Sequence, residues 1–299
     1  MIMRIGFIGL GIMGKPMAIN LVHADYELVV FNRSPQAVAA LVAEGARAAN
    51  SPQQVAEQAD VVLTMLPKGP DVLSVVEGER GLLAGAHAGL TLIDMSSIAP
   101  GVSQQIGGLL EEQGVGMLDA PVSGGEPGAI DGTLAFMVGG PQDLFDRYRD
   151  VLGVMGSSVT RVGELGAGNT AKLANQVIVA VNIAALSEAL VLAHQAGVDP
   201  RGVVDAIRGG LAGSKVLEQK AEKMLTDEFA PGFRIDLHTK DLNNALETAH
   251  SVGAALPLAA AVREMMTAIS NDGHLRDDHS SLLAYYERLA GTALADLAE

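Results

Sequence analysis

The sequence predicts an α/β chain, a doubly wound and mostly parallel sheet followed by an all-helical second part. Three observations predict it. Short β-rich runs alternate with helical stretches as far as position 163, the pattern of a sheet with helices on both faces. Three glycines, at 9, 11 and 14, directly follow the first of these runs. Beyond Gly163 the segment "GELGAG" punctuates the chain and no convincing strand pattern follows. The expected domains are therefore 1–163 and 164–299.

In chain order, the expected strands are 4–9 ("RIGFIG"), 27–32 ("ELVVFN"), 61–66 ("VVLTML"), 91–96 ("TLIDMS"), 116–121 ("GMLDAP"), 134–140 ("LAFMVGG") and 158–163 ("SVTRVG"). Helices are expected between them at 13–24, 35–44, 52–58, 70–77, 101–113 and 141–152. The run 134–140 is expected to add late strands of mixed sense at one edge. In the second part, helices break at "AGVDP", "GGLAGS", "FAPGF", "GAALP" and "SNDGH". The first of these helices, 168–195, is roughly 40 Å long at 1.5 Å per residue. It is apolar on more faces than one small domain covers, which predicts a homodimer or homotetramer.

Composition narrows the function. At 299 residues and 48% hydrophobic content, the chain buries a sizeable core. Its formal charge of −15, without any Lys/Arg-rich run, argues against nucleic acid and anionic membranes as partners. A small anionic substrate stays compatible, because a few local donors outweigh the global field. There is no cysteine, hence no disulfide, thiolate chemistry or Cys-type zinc site. Tryptophan is absent and aromatics are 3%, which disfavours a base-stacking surface. The glycines and Lys15-Pro16 fit a strand and phosphate turn better than a secretory signal. The best candidate membrane span, 177–193, is interrupted by Asn182, Ser187 and Glu188. A soluble, cytoplasmic protein is expected.

Three motifs carry chemistry. The first is the turn Gly9-Leu10-Gly11-Ile12-Met13-Gly14, between a strand and a helix. Gly9 permits the tight turn, Gly11 lets backbone approach a pyrophosphate, and Gly14 allows close helix–strand packing. The following helix offers free N–H groups to a phosphate. In this context the turn predicts a Rossmann-type dinucleotide site. At the end of the second strand an NAD site expects an acid. Here stand Asn32, Arg33 and Ser34, all able to donate to a 2′-phosphate, so NADP (NADPH) is favoured with NAD possible. Met65, Leu66, Pro67, Ser96 and Ser97, at the ends of later strands, are candidates to line the cofactor.

The second motif, Ser123-Gly124-Gly125, presents a hydroxyl and successive N–H groups suited to a carboxylate. In the third, Lys172 and Asn175 share one face of the long helix. A partly desolvated lysine acts as a general acid toward a carbonyl oxygen, and the amide fixes a neighbouring hydroxyl or carboxylate. The cluster "HLRDDH" at 274–279 matches no ligand spacing for a metal and reads as a solvated loop, with Asp278 or Ser280 as a cap.

These segments, with "LIDMSSIAP", "LDAPVSGGEPGAIDGTL", "GAGNTAKLANQVIVAVNIAALSEAL" and "PGFRIDLHTKDLNNA", resemble the β-hydroxyacid dehydrogenase family over nearly the whole chain. The resemblance implies a catalytic lysine at Lys172, a substrate amide at Asn175, a substrate turn at Ser123, Gly124 and Gly125, and a lysine near the nicotinamide at Lys240. Related phosphogluconate dehydrogenases carry His-Asn where this chain has Asn175-Gln176, and imine reductases of this fold lack the lysine. The implied reaction is NAD(P)H-dependent, reversible reduction of tartronate semialdehyde to D-glycerate. The alternatives are oxidation of 3-hydroxyisobutyrate or another short hydroxy acid, and a non-catalytic reader or scaffold.

Overall fold

The computed structural model describes residues 3–294, which divide into two compact units between Lys172 and Leu173. In the first unit, six strands run parallel: β1 Arg4–Ile8, β2 Glu27–Phe31, β3 Arg47–Ala48, β4 Val61–Thr64, β5 Thr91–Asp94 and β6 Gly116–Asp119. Their order in the sheet is β3-β2-β1-β4-β5-β6. It reverses direction between β1 and β4, where doubly wound sheets bind ligands. β7 Val122–Ser123, β8 Leu134–Gly139 and β9 Gly156–Gly163 extend the sheet. β8 is antiparallel to β6 and β7 and parallel to β9, the mixed sense expected of this region.

The strands are buried on both faces, and alternate residues enter different cores. Ile5 and Phe7 of β1, Leu28 and Val30 of β2, and Val61 and Leu63 of β4 pack with Met17 and Leu21 of α1 Gly14–His23 and Leu41 of α2 Pro35–Ala43. Val29, Val62 and Leu92 pack on the other face. They meet Val55 of α3 Pro52–Gln58, Val72 of α4 Gly69–Glu77 and Ile106 of α5 Pro100–Glu111. This period of two, with both faces apolar, is why the strands read as continuous hydrophobic runs. Two further helices complete the unit, α6 Gly125–Asp131 and α7 Gln142–Met155. α6, β3 and β7 are absent from the sequence-based expectation. They are only two to seven residues long, and α6 sits in a glycine-rich segment that reads as a turn.

α8 Ala167–Gln195 starts in the first unit and continues into the second. The second unit adds α9 Pro200–Ile207, α10 Lys215–Leu225, α11 Ile235–Val252, α12 Pro257–Asn271 and α13 Leu283–Ala290. Among the described residues its nearest approach to a strand is one isolated bridge, Arg234 with Asp278. Prolines open α9 and α12, and Gly253 ends α11 in the left-handed conformation at φ +72°. Ile183, Leu186 and Leu190 of α8 build the second core with Leu217, Ile235, Leu242 and Met266. Contrary to the expectation that no segment qualifies, α8 is long and apolar enough to cross a membrane by length and composition. The core helix of a soluble protein meets the same criteria, since both are solvated by apolar groups on most sides.

The loop at 274–279 also departs from expectation. Asp278 does cap the turn that follows, accepting from Ser280 N–H at 3.1 Å, but the end of the loop is buried: Asp278, His279, Ser280 and Ser281 have almost no exposure. Asp278 accepts from Lys220 Nζ at 2.9 Å and from the Gly232 and Phe233 N–H groups at 2.9 and 3.1 Å. Burial alone would raise its carboxyl. The neighbouring His279 and Lys220 charges, with the hydrogen bonds from Lys220 and Ser280, outweigh that and hold it well below the usual carboxylate range.

Candidate active site

The carboxyl ends of the parallel strands carry most of the expected cofactor residues. Gly9 follows β1 at φ +99°, and a Cβ there would lie 2.3 Å from the Met65 carbonyl oxygen. A Cβ on Gly14 would lie 1.9 Å from the Gly9 oxygen. Only glycine fits either position. A Cβ on Gly11 would meet nothing within 4 Å, so the backbone there faces open space. α1 begins with no side chain capping its first N–H groups. A tight turn, open space at the middle glycine and uncapped donors together fit a dinucleotide pyrophosphate.

Asn32 does different work from the role expected of it. Its Oδ1 accepts from the Leu10 N–H at 3.1 Å, and its Nδ2 donates to the Ser34 carbonyl at 3.3 Å. The amide thus ties the glycine turn to the start of α2, and its donor is engaged with protein. Arg33 is 84% exposed and 3.9 Å from Asp71, so of this trio it keeps the charged donor most accessible to a ligand.

The next two strand ends are joined by a buried acid. Asp94 closes β5 with no solvent exposure. Its Oδ1 accepts from Thr64 Oγ1 at 2.7 Å, from Ser96 Oγ at 2.6 Å and from the Ser96 N–H at 3.2 Å. Ser96 Oγ in turn accepts from the Leu66 N–H at 2.9 Å. Ser96 was expected to line the cofactor. It is fully buried instead, and its Oγ holds the Leu66 N–H. Ser97, more exposed, remains on the rim. Burial pushes the Asp94 carboxyl up to about 6, against the lowering effect of the Ser96 and Thr64 hydrogen bonds.

Ser123 closes β7 opposite Ala135. Gly124 and Gly125 follow at φ +140° and +64°, a backbone that exposes successive N–H groups. Lys172 is placed by α8. Asp119, at the end of β6, accepts from the Gly166 N–H at 2.8 Å and from the Asn169 N–H at 2.6 Å. A carboxylate at a helix N-terminus satisfies free donors and opposes the positive dipole end. Asn169 adds two bonds, accepting from the Ile98 N–H at 3.0 Å and donating to Ser103 Oγ at 3.1 Å. The first turn of α8 is thereby fastened to the sheet rim, and Lys172 projects from the next turn, 7% exposed.

In the second unit, Asn175 is half-buried and donates to Gln176 Oε1 at 2.9 Å. Lys240, on α11, has Nζ 3.0 Å from Asp241 Oδ1. Asp94, Asp119 and Asn169 escaped the sequence reading. The available signal was an acid closing each apolar strand, in "TLID" and "GMLD".

This fold and rim define an NAD(P)-binding oxidoreductase. Comparison with known proteins agrees. Residues 4–163 match the NAD binding domain of 6-phosphogluconate dehydrogenase, and 166–286 match the domain described as NAD-binding of NADP-dependent 3-hydroxyisobutyrate dehydrogenase. The chain is 44% identical over 293 residues to 2-hydroxy-3-oxopropionate reductase of Escherichia coli, covering 98% of this chain and 100% of that one. It is 38% identical to 3-hydroxyisobutyrate dehydrogenase of Pseudomonas aeruginosa, covering 94% and 98%. A solved 3-hydroxyisobutyrate dehydrogenase of Mycobacterium tuberculosis with L-serine superimposes with a TM-score of 0.87 at 34% identity, covering 96% and 99%. The chain belongs to the β-hydroxyacid dehydrogenase family, the 3-hydroxyisobutyrate dehydrogenase-like enzymes, and is an NAD(P)-dependent oxidoreductase of hydroxy acids.

The buried acid behind the rim has a measurable signature. The folded protein favours neutral Asp94, so its contribution to stability is fully present below about pH 4. It declines by about 3 kcal/mol as pH rises to about 6, where the folded carboxyl ionises too. Carboxyl NMR should show one aspartate titrating near pH 6, and Asp94→Asn should flatten that part of the pH–stability curve. If every aspartate titrates near its ordinary value, the buried acid is not strained in this way.

Proposed function

We propose that this enzyme reduces tartronate semialdehyde to D-glycerate with NADPH, reversibly. The 44% identity to the E. coli reductase over the full length of both chains carries the choice of substrate. NADPH is favoured over NADH because no acid stands at position 32 to repel a 2′-phosphate and because Arg33 is exposed beside it. The second matched domain, described as NADP-dependent, supports the same choice.

Gly9 to Gly14 would hold the pyrophosphate, with Arg33 and Ser34 at the adenosine end and Met65, Leu66, Pro67 and Ser97 along the rim. NADPH, when bound, supplies the hydride that adds to the aldehyde carbon. The chain's own residues manage the oxygen. Lys172 Nζ stabilises the negative charge growing there and gives it a proton, completing the hydroxyl. Ser123, Gly124, Gly125 and Asn175 bind the carboxylate and hydroxyl, and Lys240 helps order the site. A soluble, cytoplasmic protein fits this metabolite chemistry.

Steady-state kinetics with tartronate semialdehyde and methylmalonate semialdehyde, each with NADPH and NADH, test this reading. Tartronate semialdehyde with NADPH should give the highest kcat/KM. Losing a hydrogen bond to a charged group costs about 1.5–3 kcal/mol, so Arg33→Ala should raise the NADPH KM and spare NADH. Equal effects on both cofactors would remove Arg33 from cofactor selection. A higher kcat/KM for methylmalonate semialdehyde would shift the assignment to 3-hydroxyisobutyrate.

Lys172→Ala should collapse turnover while NADPH still binds, since general acid catalysis typically contributes about 10²–10⁴-fold. Lys172→Arg should fail nearly as badly, because guanidinium is a much weaker acid of different shape. Retention of more than about a tenth of wild-type turnover by Lys172→Ala would eliminate the general-acid role.

The chain is also proposed to assemble as a homodimer or homotetramer. Ile178 and Leu192 of α8 and Leu289 of α13 are 61%, 71% and 69% exposed, apolar area that a second copy would cover. Light scattering at micromolar concentration should give at least twice the 30.9 kDa chain mass; a monomeric mass would reject assembly.

A further inference from the structure

Strands β2 and β4 lie on either side of β1, about 10 Å apart at the usual strand spacing. Arg33 stands two residues beyond β2, and Asp71 stands in the first turn of α4, the helix that follows β4. Their side chains nonetheless meet, with Arg33 Nη2 3.9 Å from Asp71 Oδ1. The pair therefore bridges the two flanks of the strand that carries the glycine turn.

In sheets of this kind an acid at the end of the second strand usually selects the cofactor. Its carboxylate accepts from an unphosphorylated ribose and repels a 2′-phosphate. Position 32 holds no acid here. Asp71 brings a carboxylate to the same neighbourhood from a different helix, and its contact is Arg33, whose guanidinium suits a phosphate. A guanidinium grips carboxylate and phosphate with the same planar fork, so the two anions compete for it. The geometry favours exchange. Arg33 is 84% exposed and Asp71 31%, and 3.9 Å is too long for a direct hydrogen bond, so the pair is loose. A loose pair gives way to a stronger anion, yet its carboxylate stays near the guanidinium and repels what replaces it. As an acid in the first turn of α4, where no side chain caps the helix, Asp71 also faces the positive helix end. That second role acts on the fold and does not distinguish one dinucleotide from another.

We propose that Asp71 is a specificity-determining residue of the dinucleotide site: it competes with a 2′-phosphate for Arg33 and so narrows the preference for NADPH over NADH. This rests on the reading in which Arg33 meets the 2′-phosphate. The acid missing from the end of β2 is replaced, from α4, by one that weakens phosphate selection without abolishing it.

The test measures dissociation constants of NADPH and NADH by nucleotide fluorescence, which needs no substrate, for wild type, Arg33→Ala, Asp71→Asn and Asp71→Ala. Both Asp71 variants should raise the NADH-to-NADPH ratio of dissociation constants about two- to fivefold, the range an exposed ion pair contributes. Asp71→Ala cannot donate to a phosphate, so its agreement with Asp71→Asn assigns the gain to the lost charge. Loosening of α4 would weaken both dinucleotides alike and leave the ratio unmoved. Because the effect is between exposed charges, it should shrink as salt rises from about 0.02 M to about 0.5 M. If Arg33→Ala weakens NADPH selectively while the Asp71 variants leave the ratio unchanged, or shift it equally at both salt concentrations, the role of Asp71 alone is overturned. If Arg33→Ala weakens both dinucleotides equally, or neither, the reading of Arg33 falls and this role falls with it.

Discussion

Everything proposed for the catalytic lysine depends on one carboxylate, Asp119. It meets two N–H groups at the start of α8, those of Gly166 and Asn169. The approach is close enough to dictate its neighbours. A Cβ on Gly168 would lie 2.5 Å from the Asp119 carbonyl, and one on Gly139 would lie 2.3 Å from Oδ1. Burial pushes the acid's pKa up, and the hydrogen bonds from the helix start oppose this. The carboxylate works because a helix N-terminus is where an anion is most welcome. In exchange, the helix acquires a fixed starting point and a fixed rotation about its own axis. Lys172 inherits both, being less than one turn beyond Asn169.

The polar groups at the strand ends follow a common pattern. Asp94, Asp119 and Ser96 are buried, and each fastens the backbone that carries a more exposed neighbour. Asp94 holds Ser96, and Ser96 holds Leu66. Asp119 holds the turn that precedes Lys172. The groups that would meet ligand are thus backed by a row of acids and hydroxyls that would not. Such a row helps the short loops after these strands keep one geometry, beside the packing of Met65 and Leu66 on the cores.

Much of this was legible in the sequence. Strands of β-branched residues broken by helices predicted the sheet, and the spacing of Gly9, Gly11 and Gly14 predicted the tight turn between β1 and α1. The breaks after Gln195 and Val252 were visible because glycine and proline mark where helices stop. Three kinds of feature were not legible. The two-residue strands β3 and β7 have too few residues to show a period. The burial of Asp278 and His279 could not be read, because charged residues suggest solvent until Lys220 is brought beside Asp278 by folding. The supporting roles of Asn32 and Ser96 depend on backbone groups of Leu10 and Leu66, and backbone partners leave no mark on sequence.

Asn32 couples two segments of backbone at the end of β2. Its oxygen accepts from one neighbour and its nitrogen donates to another, so a single amide bridges the glycine turn and the start of α2. An aspartate, the residue that grips an unphosphorylated ribose, would keep the first contact. It would turn the second into oxygen facing the Ser34 carbonyl oxygen. The carboxylate would therefore oblige the segment beginning at Ser34 to adjust, and the glycine turn and the start of α2 would no longer be tied by one side chain.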